Sequence, residues 1–231
     1  MNFVLVPGAW HGGWSWHPVG QRVRSAGHGA YALTLPGLAM GDDATGLRLA
    51  DAVDHIVAEV ERRDLRDVVL VGHSFAGIPI TGAAPRLGGR LAGIAFVSAF
   101  VPLRGQSMAD AMGPEMGPWI RGTIDASPDG TIGVDFASFR ASLMQDEPEH
   151  LQRLVYDQLT PQPGGYMLDA LDVDGVGTLG VPVKYVLAER DLALAAPGAE
   201  LAARAGVEPI MVPGTHETLL THPDEVAKAI L

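Results

Sequence analysis

A serine stands where a strand should end and a helix begin, in Val68-Val-Leu-Val-Gly72-His73-Ser74-Phe75-Ala76-Gly77. An apolar, β-branched run leads to Gly72, and small residues that can open a helix follow Ser74. That spacing predicts a tight elbow holding the serine in a strained backbone conformation, with its hydroxyl clear of the sheet. The next backbone N–H, that of Phe75, then points where an oxyanion would form. Gly72 and Ala76 flank the serine because a large Cβ substituent would collide with the adjoining strand and helix. A serine hydroxyl is a weak nucleophile until a base removes its proton, and that base needs an orienting carboxylate.

Around such an elbow the partners follow in the order acid, then histidine. The apolar run Val181–Leu187 is followed by Ala188-Glu189-Arg190-Asp191, and Pro209–Val212 by Pro213-Gly214-Thr215-His216. Asp191 is the preferred carboxylate, with Glu189 its competitor; His216 is preferred over His222, which precedes Pro223 and suits a helix start. A second oxyanion donor is expected in the loop after the first strand. Pro7 has no N–H, so Ala9 is chosen to pair with Phe75. Trp10 is read as hydrophobic cover or as a wall of an acyl pocket. Met108, Met112 and Met116 recur every four residues, with Trp119 next, and are read either as core or as adaptable pocket lining. Glu217, beside His216, is expected to be exposed or to meet a polar substrate group.

These residues need elements that bring them to one edge. Phe3–Val6, Ala30–Leu33, Val68–Val71, Leu91–Phe100, Val181–Leu187 and Pro209–Val212 read as strands. Trp14 to Ala26 and Leu49 to Arg63 read as helices, the latter with a 3.6 period. The stretch Ile78 to Leu87 is expected to continue the elbow as a helix, at least until Pro85 breaks it. Continuous apolar strands alternating with helices predict an α/β fold: a mostly parallel sheet of about six strands, covered on both faces. Residues 103–175 lack this alternation and read as one inserted cap within a single domain spanning 1–231. A cap there would cover the carboxyl ends of the strands, where open α/β sheets bind ligands.

Composition narrows the chemistry. The chain is 47% hydrophobic and 19% charged, enough to bury a full core. It has no cysteine, which excludes disulfides, thiolate nucleophiles and cysteine-based metal sites. No histidine pair has ligand spacing with carboxylates nearby, so neither a metal nor another cofactor is expected. The net charge of -11 argues against nucleic acid and anionic membranes as partners. No apolar stretch is long enough to span a bilayer. No basic stretch precedes the first strand, so the expected location is cytoplasmic. Lys184 and Lys228 are the only lysines, a usage expected of a GC-rich bacterial genome. The expected partner is a small molecule, and the sequence leaves a homodimer open.

Taken together, the motifs resemble the plant-type methylesterase and hydroxynitrile lyase family of α/β-hydrolases and its bacterial esterase-like relatives. Phe3–Trp16 looks like that family's first strand and oxyanion loop, and Gly72–Gly77 like its elbow. Ala95–Pro102, Glu189–Asp191 and Gly214–His216 look like its following strand, acid loop and histidine loop. The resemblance covers essentially the whole chain and is weakest in the inserted segment. It implies an α/β-hydrolase fold and cleavage of small carboxylic esters, methyl esters among them, by Ser74, His216 and Asp191. The family's cyanohydrin-cleaving lyases carry a threonine in the oxyanion loop and a lysine beside the histidine; here Gly8 and Glu217 stand at those places. A lyase or cyclase using His216 as base, or a ligand-binding protein with a vestigial triad, are the alternatives. Pro7 and Glu217 depart from the family's usual residues.

Overall fold

The apolar run Asn2–Val6 forms β1, the second strand of a six-stranded sheet in a computed structural model that describes residues Met1–Leu231. In chain order follow α1 (His17–Ser25), β2 (Gly29–Ala32), α2 (Leu49–Arg62), β3 (Val68–His73), α3 (Gly77–Leu87) and β4 (Leu91–Val97). Between β4 and the fifth strand of the sheet lie α4 (Met108–Ala111), α5 (Gly113–Ala126), β5 (Thr131–Ile132), α6 (Phe136–Ser142), α7 (Glu149–Tyr156), β6 (Gln162–Pro163) and α8 (Gly164–Leu168). The chain ends with β7 (Val183–Ala188), α9 (Gly198–Arg204), β8 (Pro209–Val212), α10 (Thr218–Thr221) and α11 (Pro223–Ile230). The sheet runs β2-β1-β3-β4-β7-β8, with every pairing parallel.

Successive strand residues face opposite sides, and β1 shows the consequence. Val4 and Val6 pack with Ile56 of α2 and Ile80 of α3, while Phe3 and Leu5 pack with Val19 and Val23 of α1 and Val226 and Ile230 of α11. Each fully buried side chain of this size contributes about 1.5–3 kcal/mol. Two-sided burial therefore holds together strands whose own lengths would be marginal. The segment between β4 and β7 has one small cluster of its own, Phe139, Leu143 and Met144, and otherwise shares the main core. Ile120, Ile124, Ile132 and Tyr166 belong to the cluster that contains Val4 and Ile56.

Several boundaries differ from the sequence reading, each for a local reason. The first helix is split: a 3-10 turn covers Gly13–Trp16 and α1 starts at His17. Pro18 falls in the first turn of α1, where its missing N–H costs nothing. Pro85 does not break α3, which continues to Leu87 and stops at Gly88, φ 51°. The proline lies in the last turn, so the helix forgoes the one bond from residue 85 and ends two residues later. β4 stops at Val97 rather than Phe100, because Ser98 turns the chain at φ 43°.

Candidate active site

β3 delivers His73, and the chain then turns at Ser74, whose φ of 54° is strained for a residue with a side chain. The neighbours show why small residues surround it. A Cβ on Gly72 would come within 2.8 Å of Ile80 Cδ1, and one on Gly77 within 1.9 Å of the Phe100 carbonyl oxygen. Position 76 carries its methyl group, so the demand for glycine in the elbow falls on Gly77. The Phe100 N–H donates to the Ser74 carbonyl at 3.0 Å and ties the elbow to the chain beyond β4.

The loops after β7 and β8 bring two more side chains to this edge. His216 Nε2 lies 2.8 Å from Ser74 Oγ, and His216 Nδ1 lies 2.8 Å from Asp191 Oδ2. A carboxylate can only accept, so Nδ1 carries the hydrogen and Nε2 is left to take the serine proton. The Ala193 N–H donates to Asp191 Oδ1 at 2.9 Å, and the Ser98 hydroxyl, which accepts from the Ala188 N–H at 3.2 Å, lies close enough to favour the charged carboxylate. Burial alone would raise the Asp191 pKa, but the His216 charge and these hydrogen bonds outweigh it and hold the carboxyl at about 2. Burial would likewise lower the His216 pKa, yet the Asp191 charge and hydrogen bond, with the charge of Glu217, raise it above the ordinary histidine value. The fully buried His73 donates from Nε2 to the His216 carbonyl at 3.0 Å. Burial, His216 and His11 push its pKa well down, so it stays neutral and fixes the His216 backbone. Glu189 and His222 take no part in this chain of hydrogen bonds.

The loop after β1 lies directly over the serine: a Cβ on Gly8 would sit 3.0 Å from Ser74 Cβ and 2.9 Å from His73 Nδ1. Within it the Ala9 N–H has no acceptor in the protein, and the Phe75 N–H has none outside its own turn. The Trp10 N–H is occupied, donating to Gln162 Oε1 at 2.9 Å. Trp10 adopts φ 68°, and its indole N–H donates to the Ile132 carbonyl at 2.9 Å, while its own carbonyl accepts from the Thr160 N–H at 3.0 Å. Trp10 thus fastens this loop to the segment between β4 and β7. That segment also reaches the other loops: Thr215 Oγ1 donates to the Leu143 carbonyl, and Gln145 donates to that of Arg190.

The remaining residues singled out in the sequence do not form one group. Met108 is buried in the main core and Met112 is half-buried, whereas Met116 and Trp119 are exposed, at 43% and 55%. The methionine spacing is broken by Gly113, φ 86°, which separates α4 from α5 and sends the repeat onto different faces. Trp119 instead lines an open surface groove with Gly122, Thr123 and Pro161. Glu217 is neither exposed nor turned to solvent. It is 0% exposed, with one carboxyl oxygen 3.4 Å from Nε2 of the equally buried His11. His73, Ser98 and His11 carry no signal in the sequence as partners of the site, because each acts across loops that only the fold brings together.

This arrangement can move a proton from a serine hydroxyl to an imidazole and receive negative charge on two backbone N–H groups. The sequence profile described as the alpha/beta hydrolase family matches residues 3–229. The chain belongs to that family. Among curated relatives, it is 32% identical over 159 residues to the carbendazim hydrolyzing esterase of Nocardioides sp. (strain SG-4G), covering 68% of this chain and 64% of that protein. It is 34% identical over 106 residues to the alpha-hydroxynitrile lyase of Arabidopsis thaliana, covering 44% of this chain and 40% of that one. The alignments thus span less than two thirds of either relative. Among solved structures, an extracellular alpha/beta-hydrolase from a Paenibacillus species superposes with a TM-score of 0.93 at 27% identity, over 100% of this chain and 97% of its own. That protein is described as sharing structural and functional homology with tobacco Salicylic Acid Binding Protein 2. No helix of the chain is long and apolar enough to cross a membrane.

Proposed function

We propose that this chain is a serine hydrolase of small carboxylic esters, methyl esters among them, acting through an acyl-enzyme. The observation that carries the reading is the continuous hydrogen-bonded line from Asp191 through His216 to Ser74 Oγ, both links at 2.8 Å, beneath the unpaired Ala9 N–H. Ser74 Oγ attacks the acyl carbon while His216 Nε2 takes its proton. The N–H groups of Ala9 and Phe75 receive the tetrahedral oxyanion, each worth about 3 kcal/mol of barrier. His216 then protonates the leaving alcohol oxygen as the C–O bond breaks. Water repeats the sequence on the acyl-Ser74 ester and releases the acid. Asp191 holds the imidazole tautomer and stabilises its cation. The segment 103–175 serves as a cap over these groups, tied to them through Trp10 and Leu143.

The esterase name of the Nocardioides relative supports ester cleavage. The Arabidopsis lyase raises the second reading, cleavage without acylation. Gly8 weighs against it, since a side chain there would meet Ser74 and His73 at about 3 Å, leaving no room for the threonine of the cyanohydrin-cleaving members. The cytoplasmic location belongs to the same proposal. The Paenibacillus protein is described as extracellular, and fractionation of cells producing the native chain separates the two.

Exposure to a small fluorophosphonate, followed by intact-protein mass spectrometry, tests the nucleophile. One adduct on Ser74 with loss of fluoride is expected, together with p-nitrophenol release from p-nitrophenyl acetate that Ser74→Ala abolishes. No adduct and no release, or full hydrolysis by Ser74→Ala, overturns the proposal.

A further inference from the structure

Glu217 and His11 form a second buried histidine–carboxylate pair beside the first. His11 is 1% exposed and Glu217 0% exposed, and the ring Nε2 lies 3.4 Å from Glu217 Oε1. The other ring nitrogen, His11 Nδ1, is 2.7 Å from the Ala9 carbonyl. A carbonyl oxygen only accepts, so Nδ1 must carry a hydrogen. In neutral His11 that leaves a lone pair on Nε2, facing the carboxyl group. Two lone pairs do not face each other in a dry interior without a proton between them. The pair therefore holds one, on Nε2 or on Oε1. The contact also bridges two loops. His11 belongs to the loop after β1, where its N–H donates to the Gly8 carbonyl at 3.3 Å, while the Glu217 N–H donates to the Leu143 carbonyl at 3.3 Å.

We infer that Glu217 is a positioning residue for the oxyanion loop: by sharing a proton with His11 it fixes the tautomer whose Nδ1–H grips the Ala9 carbonyl, which pins residue 9 from its carbonyl side and so holds the Ala9 N–H in place over Ser74. The polar groups around His11 are few. Glu217 faces it from the loop after β8 and His73 from the end of β3, with ring centroids 6.3 Å apart; Trp14 packs on the remaining side. His73 packs in turn against His216, ring centroids 4.7 Å apart, and His216 holds Asp191. No other group in these contacts supplies a hydrogen to His11 Nε2.

The inference rests on the hydrolase reading, and the test separates the two. The purified full chain and its variants Glu217→Leu and Glu217→Gln are assayed with p-nitrophenyl acetate for kcat and KM, and the histidine ring nitrogens are followed by ¹⁵N NMR. Glu217→Leu is expected to lower kcat roughly 10- to 100-fold, less than the loss of a whole oxyanion donor, with KM unchanged. Glu217→Gln is expected to keep the wild-type kcat, because its amide N–H can donate to Nε2 of neutral His11. The NMR of the wild-type chain should show a hydrogen-bonded His11 Nδ1–H. Wild-type kcat in Glu217→Leu, an equal loss in both variants, or a His11 protonated only at Nε2 each overturns the inference. If Glu217→Leu does not fold, the other variant and the wild-type spectrum still decide. A wild-type chain with no hydrolysis and no fluorophosphonate adduct sinks the hydrolase reading instead, while the His11 spectrum still tests the proton-sharing pair.

Discussion

His216–Asp191 and His11–Glu217 use the same two side-chain chemistries, both out of water, on neighbouring loops. In the first pair nearly every polar atom is matched: Ser74 on one side of the ring, and Ala193 and Ser98 on the carboxylate. In the second pair the contact is longer, at 3.4 Å, and the Glu217 oxygens have no polar partner in the protein besides His11. A carboxylate that must stay charged is thus surrounded by donors, whereas one that only has to hold a proton against a ring nitrogen is not. Charge is what the first pair needs, and a hydrogen what the second needs.

That contrast can be broken by experiment. Ser74→Ala removes the nucleophile and should reduce kcat on p-nitrophenyl acetate by about a millionfold, with unchanged circular dichroism. Asp191→Asn keeps the shape of the first pair but abolishes the charge and favours the wrong tautomer, so kcat should fall about 10⁴-fold. The same acid-to-amide change at Glu217 should be almost silent, and equal losses at the two positions would dissolve the distinction. The pH profile sharpens it further. With Asp191 held at about 2, the acid limb of kcat/KM reports His216 alone, with a midpoint above 6.5 and a tenfold fall per pH unit below it.

The linked stability effects have opposite signs. The raised His216 value contributes stability present below 6.5 and lost as pH rises through the folded value. The lowered Asp191 value contributes stability present above 3.8 and lost as pH falls toward about 2. Smaller effects come from the supports. Gly77→Ala must move backbone away from the Phe100 carbonyl, and urea denaturation should show a loss of about 1–3 kcal/mol. Trp10→Phe keeps the ring and deletes only the indole hydrogen bond to Ile132, which should cost about 1 kcal/mol in the same measurement.

The sheet was readable because each strand is short, apolar and bounded by glycine or proline. Its parallel order followed from strands buried on both faces. Ser74, Asp191 and His216 were readable for a related reason: each lies just past the carboxyl end of one of those strands, so position along the chain implied position in space. Glu217 was not. Its burial depends on His11 and on a peptide of Leu143, respectively 206 and 74 residues away in sequence, and no periodicity records such a meeting. The methionine repeat does not mark a single surface, because a spacing of four keeps one face only while the helix continues, and the chain turns at Gly113. Ser98, inside the apolar run Leu91–Phe100, carries no sign in the sequence of a role at the site. Its positive φ turned it into a partner of Asp191.

Trp10 joins the oxyanion loop to the inserted segment by hydrogen bonds to Gln162, Ile132 and Thr160. In the language of hydrogen exchange, loop and segment form one cooperative unit. The amides of Trp10 and Thr160 should therefore exchange with the same opening free energy. Any opening that lifts the segment around Ile132 and Gln162 breaks these bonds or carries the Ala9-bearing loop along.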